Sequence, residues 1–358
     1  MDPANDHRGP GTEHEDLETG HPGLATEYMG LALRNPLLAS ASPLSLTVEG
    51  VRRLARAGVG AVVLYSLFEE QLRREAVEYA RLVDAGTESF AESLSYFPEV
   101  ADDGGPRRYL SLLERAAAAV EVPMIASLNC AGPGGWVPYA RAMQDAGAAA
   151  IELNIYFVPG DLHISGRDVE QRHVDILSQV KDAVTVPVAV KLSPHFSSTG
   201  EMATRLDEAG ADGLVLFNRF LQPDVDPETL AVISGVELSN PAESRLPRAW
   251  IALLRGRVRA SLAGTGGVEE PSDVVKYLLA GADVVMSASA LIRHGPEHAA
   301  TLLSGLSDWM ARRGFATVDD LRGLLCVPAD ADAAAYERAG YVNALQDAKI
   351  TYGINRSI

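Results

Sequence analysis

The stretch from Leu262 to Pro296, LAGTGGVEEPSDVVKYLLAGADVVMSASALIRHGP, decides the fold. Ser261 to Ala263 is a short apolar run with the character of a strand, and Gly264-Thr265-Gly266-Gly267 turns the chain after it. Pro271 and Asp273 open an amphipathic helix with Val274, Val275, Leu278 and Leu279 on its apolar side. A second buried strand, Asp283 to Met286, runs into Ser287-Ala288-Ser289-Ala290. Two neighbouring strands thus end in turns of little side-chain bulk, where backbone N–H groups can approach a phosphate closely. In a β/α barrel the loops after strands 7 and 8 are the usual place for such a site. The bare alternative is a pair of tight packing turns with no ligand.

Upstream, the same alternation repeats. Strands are expected at 37–40, 61–65, 122–128, 149–155, 187–192 and 212–217, with a seventh at 258–263 and an eighth at 283–286. Helices are expected at 47–57, 136–146, 168–183, 199–209, 245–255 and 271–280. Several end alike, at Ala57-Gly58, Ala146-Gly147, Ala209-Gly210-Ala211-Asp212 and Ala280-Gly281-Ala282-Asp283, each glycine closing a helix before a strand. Eight apolar strands alternating with helices predict a single (β/α)8 TIM barrel, with a doubly wound open sheet as the alternative. Thr26 to Leu33 is expected as an additional short N-terminal strand. Two insertions, Glu69 to Pro106 and Arg219 to Leu246, follow strand ends and belong over the barrel mouth. The expected organisation is a disordered acidic tail over 1–24, the barrel over 25–314 and a helical C-terminal extension over 315–358, packed on the barrel or on a partner subunit.

Composition narrows the function. With 358 residues, 47% of them hydrophobic, the chain can bury one large core. A net charge of −17 repels phosphodiester backbones, and no long basic run offsets it, so nucleic acid is not an expected partner. No segment has the apolar length of a membrane span, and Met1 to Gly23 has neither the apolar core of a signal peptide nor that of an anchor. Cys130 and Cys326 form no disulfide framework and no paired metal motif, so no metal is expected and a reducing cytoplasm fits.

Polar groups at the predicted strand ends are few. They are Asn129 and Cys130 on strand 3, Glu152, Asn154 and Tyr156 on strand 4, Lys191 and His195 on strand 5, and Asn218 on strand 6. Lys191 ends the apolar run VPVAVKL and should point into the barrel, where a bare ammonium is costly without an anionic partner. Glu152 is one such partner; an electron-rich ligand is the other. Asn129, Asn154 and Asn218 suit hydrogen bonding to a planar heterocycle, although a single buried asparagine is ordinarily structural.

These residues carry a resemblance. Asn35-Pro36-Leu37-Leu38-Ala39-Ser40, Ile151-Glu152-Leu153-Asn154, Val188-Ala189-Val190-Lys191-Leu192, Gly264-Thr265-Gly266-Gly267-Val268 and Ser289-Ala290-Leu291 with Gly295-Pro296 resemble, in order and spacing, the dihydroorotate dehydrogenase family of FMN-dependent barrels. The likeness runs from about Tyr28 to Arg313 and is closest to the soluble class 1 type. It implies FMN as cofactor, with Gly266, Gly267, Ala288 and Ser289 holding its phosphate and Lys191 beside the isoalloxazine ring. It also implies that Asn129, Asn154 and Asn218 line flavin or substrate and that Ala39, Ser40 and Ala41 pack against the ring. A homodimer and chemistry related to pyrimidine biosynthesis are further implications.

The departures are specific. Class 1 members carry a cysteine base three residues beyond the strand-4 asparagine; here that residue is Phe157, which cannot take a proton. Tyr65 stands where the family has a second lysine, and Ser95-Tyr96-Phe97-Pro98-Glu99 replaces its asparagine-bearing substrate loop. The pattern resembles the divergent dihydroorotate dehydrogenase-like group. An FMN oxidoreductase acting on a CH–CH or C=C bond of a small carbonyl compound is the expected function. Lys191, His163 and Tyr156 are its candidate catalytic residues, with Cys130 and His195 as further proton acceptors. A flavin-binding protein without turnover, and a flavin-free barrel holding a phosphorylated substrate, are the alternatives.

Overall fold

The computed structural model describes residues 23–71, 105–130, 136–157, 159–220, 223–233, 235 and 237–351. Eight parallel strands close into a barrel: β3 (Leu37–Ala39), β4 (Ala61–Phe68), β5 (Met124–Cys130), β6 (Ala150–Ile155), β7 (Val188–Leu192), β8 (Gly213–Leu216), β11 (Ser261–Thr265) and β12 (Val284–Ser287). These are the eight strands expected, and the closed ring rules out the open sheet. Helices α1 (Val48–Arg56), α2 (Gly105–Ala117), α3 (Trp136–Asp145), α4 (Gly166–Lys181), α5 (Thr199–Glu208), α6 (Arg245–Leu254) and α7 (Pro271–Ala280) surround it. Short polar caps set their starts: Thr47 accepts from the Gly50 N–H, Ser165 from Asp168 and Ser198 from Glu201. Ser165 explains why α4 begins two residues before the expected start.

The N-terminal segment departs from expectation. Thr26 to Leu33 is not one strand but a hairpin of β1 (Thr26–Tyr28) and β2 (Leu31–Leu33), antiparallel and reversed at Met29-Gly30. It closes the floor of the barrel. Tyr28, Met29 and Leu33 join Leu38, Val63, Val215 and Met286 in a buried cluster inside the ring. Gly213 makes room for the hairpin, because a Cβ there would lie 2.8 Å from Met29 Sδ.

Two aspartates repeat one device beneath the barrel. Asp212, just before β8, accepts from the first N–H of β7, Val188, at 2.7 Å and pairs with Lys181 at 2.6 Å. Asp283, just before β12, accepts from Leu262 of β11 at 2.8 Å and pairs with Arg255 at 2.7 Å. The two Ala-Gly-Ala-Asp repeats therefore tie each strand to the one before it.

The seventh strand runs Ser261–Thr265, later than expected, so Gly264 and Thr265 are strand residues. Gly264 is required there because the Tyr277 ring of α7 occupies the place of a Cβ, 2.2 Å from it. The second insertion contains a small hairpin, β9 (Asp224–Asp226) with β10 (Ala231–Ile233), which its prolines had concealed. After β12 come α8 (Ser289–His294) and α9 (His298–Arg313). The C-terminal segment straps α6 and α7 through α10 (Val318–Leu321) and the bonds of Gly323 to Leu278, Leu325 to Leu279 and Val327 to Ala252, each 2.9 Å. It then runs out in α11 (Ala333–Thr351), where Tyr336, Tyr341, Leu345 and Ile350 are exposed. Residues 1–22, most of the expected acidic tail, lie outside the described residues, as does most of the first insertion.

Candidate active site

Polar residues collect at the C-terminal ends of the strands because alternation along each strand sends every second side chain inward. The register fixes their levels. Asn129 of β5 is paired with Asn154 of β6, and Asn154 with Lys191 of β7, so these three share one rung. One level below, Ser127 is paired with Glu152 and Glu152 with Ala189.

Lys191 is buried, and its Nζ lies 3.4 Å from Glu152 Oε1 and 3.5 Å from Ser40 Oγ. Glu152 is fully buried, and its second oxygen has no hydrogen-bond partner among the described residues. A buried ammonium and carboxylate are tolerable only together. The Asn218 amide donates to Asn154 Oδ1 at 2.7 Å, joining β8 to β6 above Lys191, and the Asn218 N–H is held by Leu192 O. Asn129 and Asn218 are half-buried, whereas Asn154 is buried. Ala39 is buried at the end of β3, next to Ser40.

The phosphate-type turns also converge. Gly266 and Gly267 have φ of +94° and +64°, in the left-handed region that favours glycine. Gly266 faces open space, with nothing within 4 Å of the place of a Cβ, whereas Gly267 is pressed against Asn240 O. Ser239 links the turns: its Oγ accepts from the Gly267 N–H at 3.2 Å and donates to Ser289 Oγ at 3.0 Å. Ala288 and Ser289 are half-buried beside it. Behind them, Glu269 accepts from Arg293 and lies 2.5 Å from His294 Nε2. Burial pushes the Glu269 carboxyl up, but these two partners outweigh it and hold the group below the usual carboxylate range. Ser239 and Glu269 carried no sequence signal: one lies in a proline-rich insertion, the other in an acidic turn like many others. The basic pair Arg293-His294 next to a small-residue run was the one visible hint.

The proton-handling candidates part company. Tyr156 stacks on Phe220 with ring centroids 4.6 Å apart, and His195 meets the edge of the same ring at 5.5 Å. His163 is exposed in the loop before α4, its N–H bonded to Asp161 Oδ1 at 2.9 Å. The Phe157 ring lies under the Arg172 guanidinium, 4.0 Å from it. Tyr65 sits inside β4, which continues to Phe68, and packs edge-on against Tyr109 at 5.1 Å. The Cys130 side chain and the loop from Ser95 to Glu99 lie outside the described residues. Among the described residues no cluster of His, Cys, Asp or Glu could hold a metal ion, and no helix is long and apolar enough to cross a membrane.

Eight parallel strands with amides, a buried lysine and two small-residue turns at their C-terminal ends define a β/α barrel, a class of fold whose active sites lie at that face. The family model described as dihydroorotate dehydrogenase matches residues 23–310, and the chain belongs to that family, whose members are generally flavin-dependent oxidoreductases. The catalytic subunit of dihydroorotate dehydrogenase B (NAD(+)) from Methanothermobacter thermautotrophicus is 29% identical over 304 residues, covering 80% of this chain and 92% of its own length. Its counterpart from Listeria monocytogenes serotype 4a is 33% identical over 209 residues, covering 56% of this chain and 68% of its own length. That from Halalkalibacterium halodurans is 32% identical over 212 residues, covering 58% and 69%.

Proposed function

We propose that this chain is an FMN-dependent oxidoreductase acting on a CH–CH or C=C bond of a small carbonyl compound. The observation that carries the reading is the single rung of Asn129, Asn154 and Lys191 at the mouth. The residues fit the cofactor. Gly266 offers a turn open where a side chain would stand, and the Ser239 and Ser289 hydroxyls meet beside it, a cradle for a phosphate with Gly267 and Ala288 completing its walls. Bound there, FMN would supply the hydride acceptor or donor. Lys191 would place positive charge beside the ring, anchored from below by Glu152. Asn129, Asn154 and Asn218 would fix the orientation of flavin and substrate, and Ser40, 3.5 Å from Lys191 Nζ, would border the ring, whereas Ala39 packs with Leu37 and Val62 in the core between strands and helices.

Proton handling differs from that of class 1 relatives because Phe157 replaces their base. Tyr156 and His195, which meet at Phe220, are better placed to hold a proton near the mouth than the exposed His163. The Phe157 ring beneath Arg172 favours one second reading, a barrel that binds flavin and does not oxidise dihydroorotate. Titrating ligand-free protein with FMN and following flavin fluorescence tests the cofactor. Saturable quenching that weakens at least about tenfold in Gly266→Val supports the site; no quenching in the wild type rejects it.

A further inference from the structure

A fully buried tyrosine reaches the phosphate-type turn from behind. Tyr277 lies in the second turn of α7, and aromatic side chains on a helix lean back toward its N-terminus, here toward the Gly264–Gly267 turn that precedes it. Its hydroxyl lies 2.8 Å from Gly266 O and 3.0 Å from Thr265 O, so one proton serves two consecutive carbonyls. The ring is fixed as well. It fills the place of a Cβ on Gly264, and the Arg248 guanidinium of α6 stands over it, 6.0 Å from its centroid. Arg248 Nη1 is buried with no hydrogen-bond partner among the described residues, and a cation over a ring face recovers part of that cost. The hold on Gly266 O has a consequence for the next residue. A trans peptide carries its C=O and N–H on opposite sides, so the Gly267 N–H is turned away from Tyr277. There it meets Ser239 Oγ at 3.2 Å, and Ser239 in turn meets Ser289.

We propose that Tyr277 is a positioning residue for the phosphate cradle: its hydroxyl, holding Thr265 O and Gly266 O, fixes the left-handed Gly266–Gly267 turn and aims the Gly267 N–H at Ser239 and Ser289. The consequence for FMN rests on the proposed function; the hold on the turn does not, and it is tested without flavin. Packing α7 against Gly264 needs only the ring, which phenylalanine would supply equally. The hydroxyl is the part that serves the turn. Burial pushes its ionisation above the ordinary tyrosine range, against the pull of Arg248 and with the help of Asp273, so it stays a donor.

Tyr277→Phe keeps the ring against Gly264 and removes only the hydroxyl. In ligand-free, glycine-labelled protein, hydrogen exchange of the Gly267 N–H should speed up about tenfold. The Gly281 N–H at the far end of α7, bonded to Tyr277 O and Leu278 O, should change far less. FMN should bind about tenfold more weakly, whereas riboflavin, which has the same ring and no phosphate, should bind as it does to the wild type. An unmoved Gly267 rate, equal acceleration at Gly267 and Gly281, or equal loss of FMN and riboflavin affinity overturns the proposal. If Tyr277→Phe does not fold, the ligand-free wild type decides. A protected Gly267 N–H upholds a turn held in advance of any ligand, and exchange at the rate of an open loop sinks it. Wild-type protein that binds no FMN would reject the flavin reading, and the exchange rates would still decide whether Tyr277 holds the turn.

Discussion

Lys191 Nζ stands 3.4 Å from Glu152 Oε1, and both side chains are buried, on neighbouring strands one level apart. Removing one partner leaves the other charged and dry. Lys191→Met should cost about 3–5 kcal/mol of unfolding free energy, and Lys191→Met with Glu152→Gln should recover part of it. Urea denaturation of the two variants checks this; equal losses would mean that the pair is not coupled.

Gly264 and Gly266 lie two residues apart and should fail differently. A Cβ on Gly264 would meet the Tyr277 ring at 2.2 Å, so Gly264→Ala should destabilise by about 1–3 kcal/mol through overpacking. Gly266 faces open space, so Gly266→Ala should cost only the strain of its positive φ, roughly 1 kcal/mol. It should lose FMN affinity all the same. Melting curves read beside FMN titrations separate the two effects.

Asp283 accepts a buried backbone N–H and pairs with Arg255, and Asp212 does the same with a side chain about a third exposed. Asp283→Ala should therefore destabilise by about 3 kcal/mol, and Asp212→Ala by about 1 kcal/mol. Reversal of that order in chemical denaturation would contradict the clamp described beneath the barrel.

His173 is buried, with its Nδ1 2.8 Å from Val169 O and its ring edge-on to Phe196. Burial pushes its ionisation below the ordinary histidine value, with Arg172 acting in the same direction. The unfolded chain therefore takes up the proton first. The stability tied to the neutral ring is complete above about pH 6.5 and is lost as pH falls from there toward the folded value. Urea midpoints should fall on acidification below about pH 6.5, and His173→Gln should flatten that dependence.

The barrel was legible because its signals are local and repeated. Apolar strand runs, helix-closing glycines and the Ala-Gly-Ala-Asp repeats recur along the chain, and each sets one step of the ring. The rung of Asn129, Asn154 and Lys191 was half legible: each residue ended a readable strand, but which stood level with which depends on register. The hairpin at Met29-Gly30 was not readable, since two three-residue strands in TEYMGLAL look like one longer one. Ser239 was hidden for another reason. Its contacts with Gly267 and Ser289 span long sequence separations and leave no periodic trace.

The most direct test of the oxidoreductase reading is the visible spectrum of FMN-loaded protein during anaerobic addition of dihydroorotate, followed by a panel of small saturated carbonyl compounds. Flavin absorption should bleach with at least one compound of this class and bleach far more slowly in Lys191→Met. A protein that binds FMN but stays fully oxidised with all of them, and whose chemically reduced flavin is not reoxidised by the matching enones, would contradict it.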